Sequence, residues 1–287
     1  DLMTGITRRK FFAASVLGGV SVLSGCTGNA GKATPVPGEP PADSPIQEVG
    51  FDGGDMVVSL REEHAVSRLN LIGPDGSAVA QTTVASGETT SRLEILDIRP
   101  GLGGYDHYEP GQHELVAIRD EETTSFELEL VPELRITDVA QYRDGDRNSD
   151  FGKLAVTVEN IGTAPTWVYA ISYQDAPNHL VNDPLNTNPG IPILSKPKAP
   201  EQSIIGPDTS QTYIGDTAPL VFTDREKQLC GGEFSFRVLI GIPANRPIEG
   251  TVNVSVDGSV LSAGLTGDYA CSELSINIGA NGATDGN

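Results

Sequence analysis

From Asp55 onward apolar and polar residues alternate with a period of two, which predicts strands and no long helices. Thr124 to Val131 is the clearest case. Phe126, Leu128 and Leu130 fall on one face and Ser125, Glu127 and Glu129 on the other, the pattern of an antiparallel strand half-buried on a core. Similar strands are predicted at Met56 to Leu60, Ser67 to Ile72, Val79 to Val84, Leu93 to Ile98 and Gln112 to Ile118. Gly73-Pro74-Asp75-Gly76 separates two of them as a turn. Short strands punctuated this way predict a β-sandwich over residues 47–132.

A second set begins at Glu133. Leu134 to Val139, Lys153 to Gly162, Thr166 to Tyr173, Gln211 to Ile214, Phe234 to Ile240, Gly250 to Val256 and Ser272 to Ile278 carry the strand pattern. They predict another sandwich over residues 133–279, so the fold class is all-β with two tandem antiparallel sandwiches. Trp167 is expected between sheets as core. Gln174 to Pro200 interrupts the pattern with six prolines. Loops of this length are uncommon and often functional, which makes Asn178, His179, Asn182 and Asp183 candidates for gripping a partner; a packed surface loop of no special role explains the same residues.

Ahead of the strands lie two segments of another kind. Residues 1–25 carry a basic stretch (Arg8, Arg9, Lys10), an apolar stretch from Ala13 to Leu23 too short to span a membrane, and small residues before Cys26. Thr7-Arg8-Arg9-Lys10-Phe11-Phe12 resembles the twin-arginine export motif, the address read by a translocase for folded proteins. Leu23-Ser24-Gly25-Cys26 resembles a lipobox, which implies lipid on the Cys26 sulfur and a membrane partner held through that lipid. Residues 26–46 are rich in proline and poor in large apolar side chains, the composition of a semi-extended tether. The polar tail 280–287 is expected to be flexible. The resemblance implies an extracellular, lipid-anchored protein.

Two phrases inside the strands carry further likenesses. Tyr108-Glu109-Pro110-Gly111-Gln112-His113 resembles the turn entering a late strand of immunoglobulin-like sandwiches, where a tyrosine ties the corner; here His113 holds that place. Val156-Thr157-Val158-Glu159-Asn160-Ile161-Gly162-Thr163 resembles the signature of adhesion-related (CARDB-like) domains of bacteria and archaea, which implies an immunoglobulin-like fold and a binding role.

The formal charge of −20, with 39 acidic against 19 basic residues, would repel phosphate backbones, so no nucleic acid partner is expected. Acidic residues in excess and arginine in place of lysine resemble the composition of haloarchaeal proteins. In an oxidising compartment, Cys230 and Cys271 remain once Cys26 is lipidated, and a disulfide is the economical pairing. Asp144, Asp146, Asn148 and Asp150 resemble the opening of a calcium loop, although Ser149 replaces its glycine and Ala155 its closing glutamate. An acidic hairpin tip explains the same run, so calcium is the single candidate cofactor. The four histidines are scattered, and no nucleophile elbow, phosphate loop, dinucleotide fingerprint or zinc-protease motif occurs, so no catalytic residue is assigned. These features point to a membrane-anchored binding or adhesion module for an envelope protein or polysaccharide. The alternatives are an enzyme, or its accessory subunit, acting on extracellular polymers with carboxylates near Tyr105 to Glu109 or Gln174 to Pro200, and a structural spacer of the envelope.

Overall fold

The structure, a computed structural model, describes residues 40–99, 104–120, 122–143, 150–178, 185, 192–222, 230–243, 246–262 and 269–279. Among them the fold is all-β, with one 3-10 turn at Pro200–Ser203.

The first half contains β1 (Ile46–Asp52), β2 (Asp55–Leu60), β3 (Arg68–Ile72), β4 (Ala78–Thr83), β5 (Thr90–Glu94), β6 (Leu96–Arg99), β7 (Gly104–His107), β8 (Gly111–Arg119) and β9 (Glu122–Leu130). β1-β2-β5 form one sheet, β4-β3-β8-β9 the other, and β6-β7 a separate hairpin. The alternating buried residues of both sheets, such as Met56, Val58 and Leu60 on β2 and Leu69 and Leu71 on β3, fill the space between them. β1 lies where a tether was expected to end, and it is held because Ile46 and Val49 are buried.

The single strand expected from Leu93 to Ile98 is two. The N–H groups of Ile95 and Leu96 both donate to the Gly54 carbonyl at 3.0 Å, which turns the chain out of the sheet and starts the β6-β7 hairpin. Gly54 permits this, since a Cβ there would lie 2.5 Å from the Leu96 oxygen.

The second half contains β10 (Leu134–Gln141), β11 (Leu154–Asn160), β12 (Thr166–Trp167), β13 (Ala170–Gln174), β14 (Leu194–Lys196), β15 (Ile204–Ile205), β16 (Thr209–Gly215), β17 (Gly232–Gly241), β18 (Ile248–Ser262) and β19 (Tyr269–Ile278). β10-β11-β16-β14 faces β13-β17-β18-β19, and β12 pairs with β15. Both halves share the strand order of immunoglobulin-like sandwiches: β1-β2-β5 in the first and β10-β11-β16 in the second form one sheet, and β3-β8-β9 and β13-β17-β18 the other, while β12 of the second half stands outside both main sheets. The strand expected from Thr166 to Tyr173 divides, because the Val168 N–H turns to the Ser203 carbonyl and the Tyr169 N–H to Gly241, switching sheets. Cys230 and Cys271 form a disulfide with a Cα separation of 5.6 Å, tying the entry to β17 to β19.

The core divides into two clusters, and their membership crosses the halves. Ala164, Trp167, Tyr169 and Ala170, from the second half of the sequence, belong to the same buried cluster as Leu69, Leu115 and Tyr108.

Candidate functional site

The residues joining the halves, Val131, Pro132 and Glu133, run through a grip formed by the turn after β11. Asn160 is fully buried, and its four side-chain bonds fix the turn. Its Oδ1 accepts from Gly162 N–H at 3.0 Å and Glu133 N–H at 3.3 Å, and its Nδ2 donates to Ala164 and Ile205 carbonyls at 2.9 and 3.2 Å. Backbone bonds complete the grip: Ile161 N–H to the Glu133 carbonyl and Thr163 N–H to the Val131 carbonyl. Gly162 is required by contact, because a Cβ there would sit 2.3 Å from both Glu133 N and Val131 O. The Asn-x-Gly phrase that carries the adhesion-domain resemblance is therefore the clamp on the joint.

Above the clamp, side chains of the β6-β7 hairpin and its exit pack on β12. The Tyr108 hydroxyl donates to the Pro165 carbonyl at 2.7 Å, and burial raises its pKa well above the usual phenol range. His107 stacks on Tyr108 with centroids 4.4 Å apart, donates from Nδ1 to the Tyr108 carbonyl and accepts at Nε2 from the Thr166 hydroxyl at 3.2 Å. Burial outweighs the bond to Tyr108 and pushes the His107 pKa down to about 4, so the ring is neutral. Tyr105 meets Trp167 edge-on at 5.5 Å. Trp167 is fully buried, and its Nε1–H has no hydrogen-bond partner among the described residues. Its expected place as core packing holds, but the rings it meets belong to the other half.

In front of the hairpin lies an open cleft of about 470 Å³ whose wall carries Asp75, Glu94, Asp97, Asp106 and Glu109. Asp97 and Asp106 are direct cross-strand partners on β6 and β7, and the Arg99 guanidinium bonds both. This is the cluster near Tyr105 to Glu109 that the sequence marks for an enzyme, and here two of its carboxylates share one cation. A second hollow, about 670 Å³, is lined by Glu62 to Ser67 and the turn before β5. His64 in it is held at both nitrogens: Nδ1 accepts from Val66 N–H and Nε2 donates to the Glu88 carbonyl, both at 2.8 Å.

His113, at the corner position, is buried and donates from Nδ1 to the Gly111 carbonyl at 2.9 Å, so its bond is made two residues upstream on its own turn. Burial lowers its pKa, against the opposing effects of that bond and of Glu109. Of the calcium candidates, Asp150 lies 3.9 Å from the Lys153 ammonium, itself bonded to Ser195; Asp144, Asp146 and Asn148 lie outside the described residues. In the Pro-rich excursion, Asn178 donates to the Ala218 carbonyl at 3.0 Å, whereas His179, Asn182 and Asp183 lie outside the described residues, as do Arg8, Arg9, Cys26 and the tail. Among the described residues no helix is long and apolar enough to cross a membrane, and no three His, Cys, Asp or Glu residues gather as a metal site. The β6-β7 hairpin was not legible in the sequence; its one signal was the run Asp106-His107-Tyr108-Glu109.

No family model matches the chain, and no curated protein matches it. Among solved structures it is similar to a β-glucuronidase from glycoside hydrolase family 2, at 11% identity and a TM-score of 0.23 over 78% of this chain and 21% of that one. The chain thus spans about a fifth of that enzyme's length, and at this score the likeness carries no argument about activity.

Proposed function

We propose that the chain is an exported surface protein, held to the membrane by lipid on Cys26 beyond a tether ending near residue 46, whose two sandwiches act as one non-catalytic binding module for an envelope protein or polysaccharide. The observation that supports this most is the joint. Contacts between domains of one chain are usually polar and mobile. Here an aromatic core and a hydrogen-bonded clamp bind the halves, so the cleft and the loops at the ends of both sandwiches keep one arrangement. A surface already ordered loses less entropy on binding, which favours adhesion by a preformed face. In the cleft the Arg99 guanidinium bonds both Asp97 and Asp106, which ties the two strands of the hairpin together on the face such a module would present.

The test is the full chain in its own cells, wild type beside Cys26→Ala, with cross-linking through Lys196 and Lys198. The reading requires membrane retention of wild type, release of the variant, and cross-links that converge on one envelope component. Cytoplasmic wild-type protein, or turnover of an extracellular polymer by the purified chain, would contradict it.

A further inference from the structure

We infer that Asn253 is an acceptor for an N-linked oligosaccharide, a reading that rests on the proposed export. Asn253-Val254-Ser255 is the single Asn-x-Ser/Thr sequence in the chain with x other than proline. On β18 it takes the conformation that lays both polar groups on one side. Val254 is 2% exposed and faces the core, while Asn253 is exposed and Ser255 half-exposed on the outer face.

The surroundings are a second, independent observation. Across β17, β18 and β19 the register sets Ser235, Asn253 and Asn277 in one row and Glu233, Ser255 and Ser275 in the next. Elsewhere on the surface Arg92, Arg99, Arg135 and Arg237 each bond acidic neighbours, yet these six side chains hydrogen-bond to none of the described residues. All of them but Ser275 line an open hollow of about 390 Å³ around Asn253. Five of the six are hydroxyls or amides, which both donate and accept and suit the hydroxyls of a sugar; the sixth, Glu233, accepts from such hydroxyls and disfavours an anionic ligand. Gly279 leaves room beside the acceptor nitrogen, since a Cβ on it would come 3.5 Å from Asn253 Nδ2.

The backbone allows a transferase to reach the site. The Gly279 N–H donates to the Thr251 carbonyl and the Gly231 N–H to the Val256 carbonyl. By strand alternation the N–H and C=O of Asn253 and Ser255 therefore point to the edge strand β19, and those of Val254 to β17. Fraying of Ser275 to Gly279, the end of an edge strand, frees the acceptor backbone while β17 and β18 stay paired. The donor is an oligosaccharide on a lipid-phosphate carrier, delivered by a separate membrane transferase. A bond forms between Asn253 Nδ2 and the anomeric carbon, the bond from that carbon to the phosphate oxygen breaks with its electron pair leaving on the phosphate, and the amide gives up one proton to the medium.

The test is mass spectrometry of the Asn253 peptide from full chain recovered at the surface of its own cells, with Asn253→Gln, Ser255→Ala and Asn277→Gln alongside. The inference requires an oligosaccharide mass increment on wild type and Asn277→Gln, and its complete loss in the other two. A bare Asn253 on surface-located wild type overturns the inference and leaves the export reading standing. Bare Asn253 on protein retained inside the cell overturns both, and an increment that survives Ser255→Ala overturns the sequence motif as its cause.

Discussion

The rings of His107 and Trp167 lie 5.2 Å apart, tilted by 52°, and they come from different halves of the chain. One ends the β6-β7 hairpin and the other ends β12. Replacing Trp167 by alanine removes the largest buried side chain of the seam and is expected to cost about 3–5 kcal/mol. Calorimetry checks this: wild type should unfold in one transition, and Trp167→Ala should show a lower Tm and two separated transitions.

Acid should weaken the same seam. His107 has a pKa of about 4 when folded against 6.5 as an ordinary imidazole, so the unfolded chain takes up the proton first as pH falls. Stability is complete above pH 6.5 and declines through the window down to about pH 4, by on the order of 3 kcal/mol, then levels off for this group. Denaturant titrations across that window should show the slope, and His107→Phe should flatten it.

Asn160→Ala would leave two N–H groups and two carbonyls of the clamp without their partner. The expected loss is about 3 kcal/mol, since buried groups stripped of a bond keep their desolvation penalty. Gly162→Ala should loosen the joint by steric contact while leaving both sandwiches folded, which amide hydrogen exchange at Glu133 and Thr163 would register as lost protection.

Opposed carboxylates recur on the first half. Asp52 faces Asp55 across β1 and β2, and Arg92 bonds both; Asp97 faces Asp106, and Arg99 bonds both. Glu114 faces Glu127 on β8 and β9, both exposed, with no ion pair to either among the described residues. Glu114→Gln should therefore stabilise the chain by about 0.2–1 kcal/mol. The gain should shrink as salt screens the pair, which thermal melts at low and high ionic strength would resolve.

Much of the fold was legible because a strand half-buried on a core writes its geometry as alternation: β9 and β11 follow Phe126-Leu128-Leu130 and Leu154-Val156-Val158 residue by residue. The turn Gly73 to Gly76 was legible from its own residues, and the Cys230–Cys271 bond, although it spans 41 positions, from being the pairing left once Cys26 is set aside. What escaped depends on contacts far apart in sequence. Leu93 to Ile98 reads as one strand because nothing in it announces that Gly54 will bend the chain at Ile95. Trp167 reads as core without saying whose core, since its partners Tyr105 and His107 lie some sixty positions earlier. The Asn160-Gly162 phrase was visible as a motif, but its work as a clamp appears only with Val131 and Glu133 beside it. The hydroxyl face around Asn253 likewise exists only through the register of three strands.

The claim that the two sandwiches act as one unit is tested most directly by the distance between spin labels placed at Gln81→Cys on β4 and Ser210→Cys on β16, both exposed positions. The joint described above predicts a single narrow distance distribution, broadened by Trp167→Ala or Gly162→Ala. A broad distribution in the chain with the native joint would contradict it.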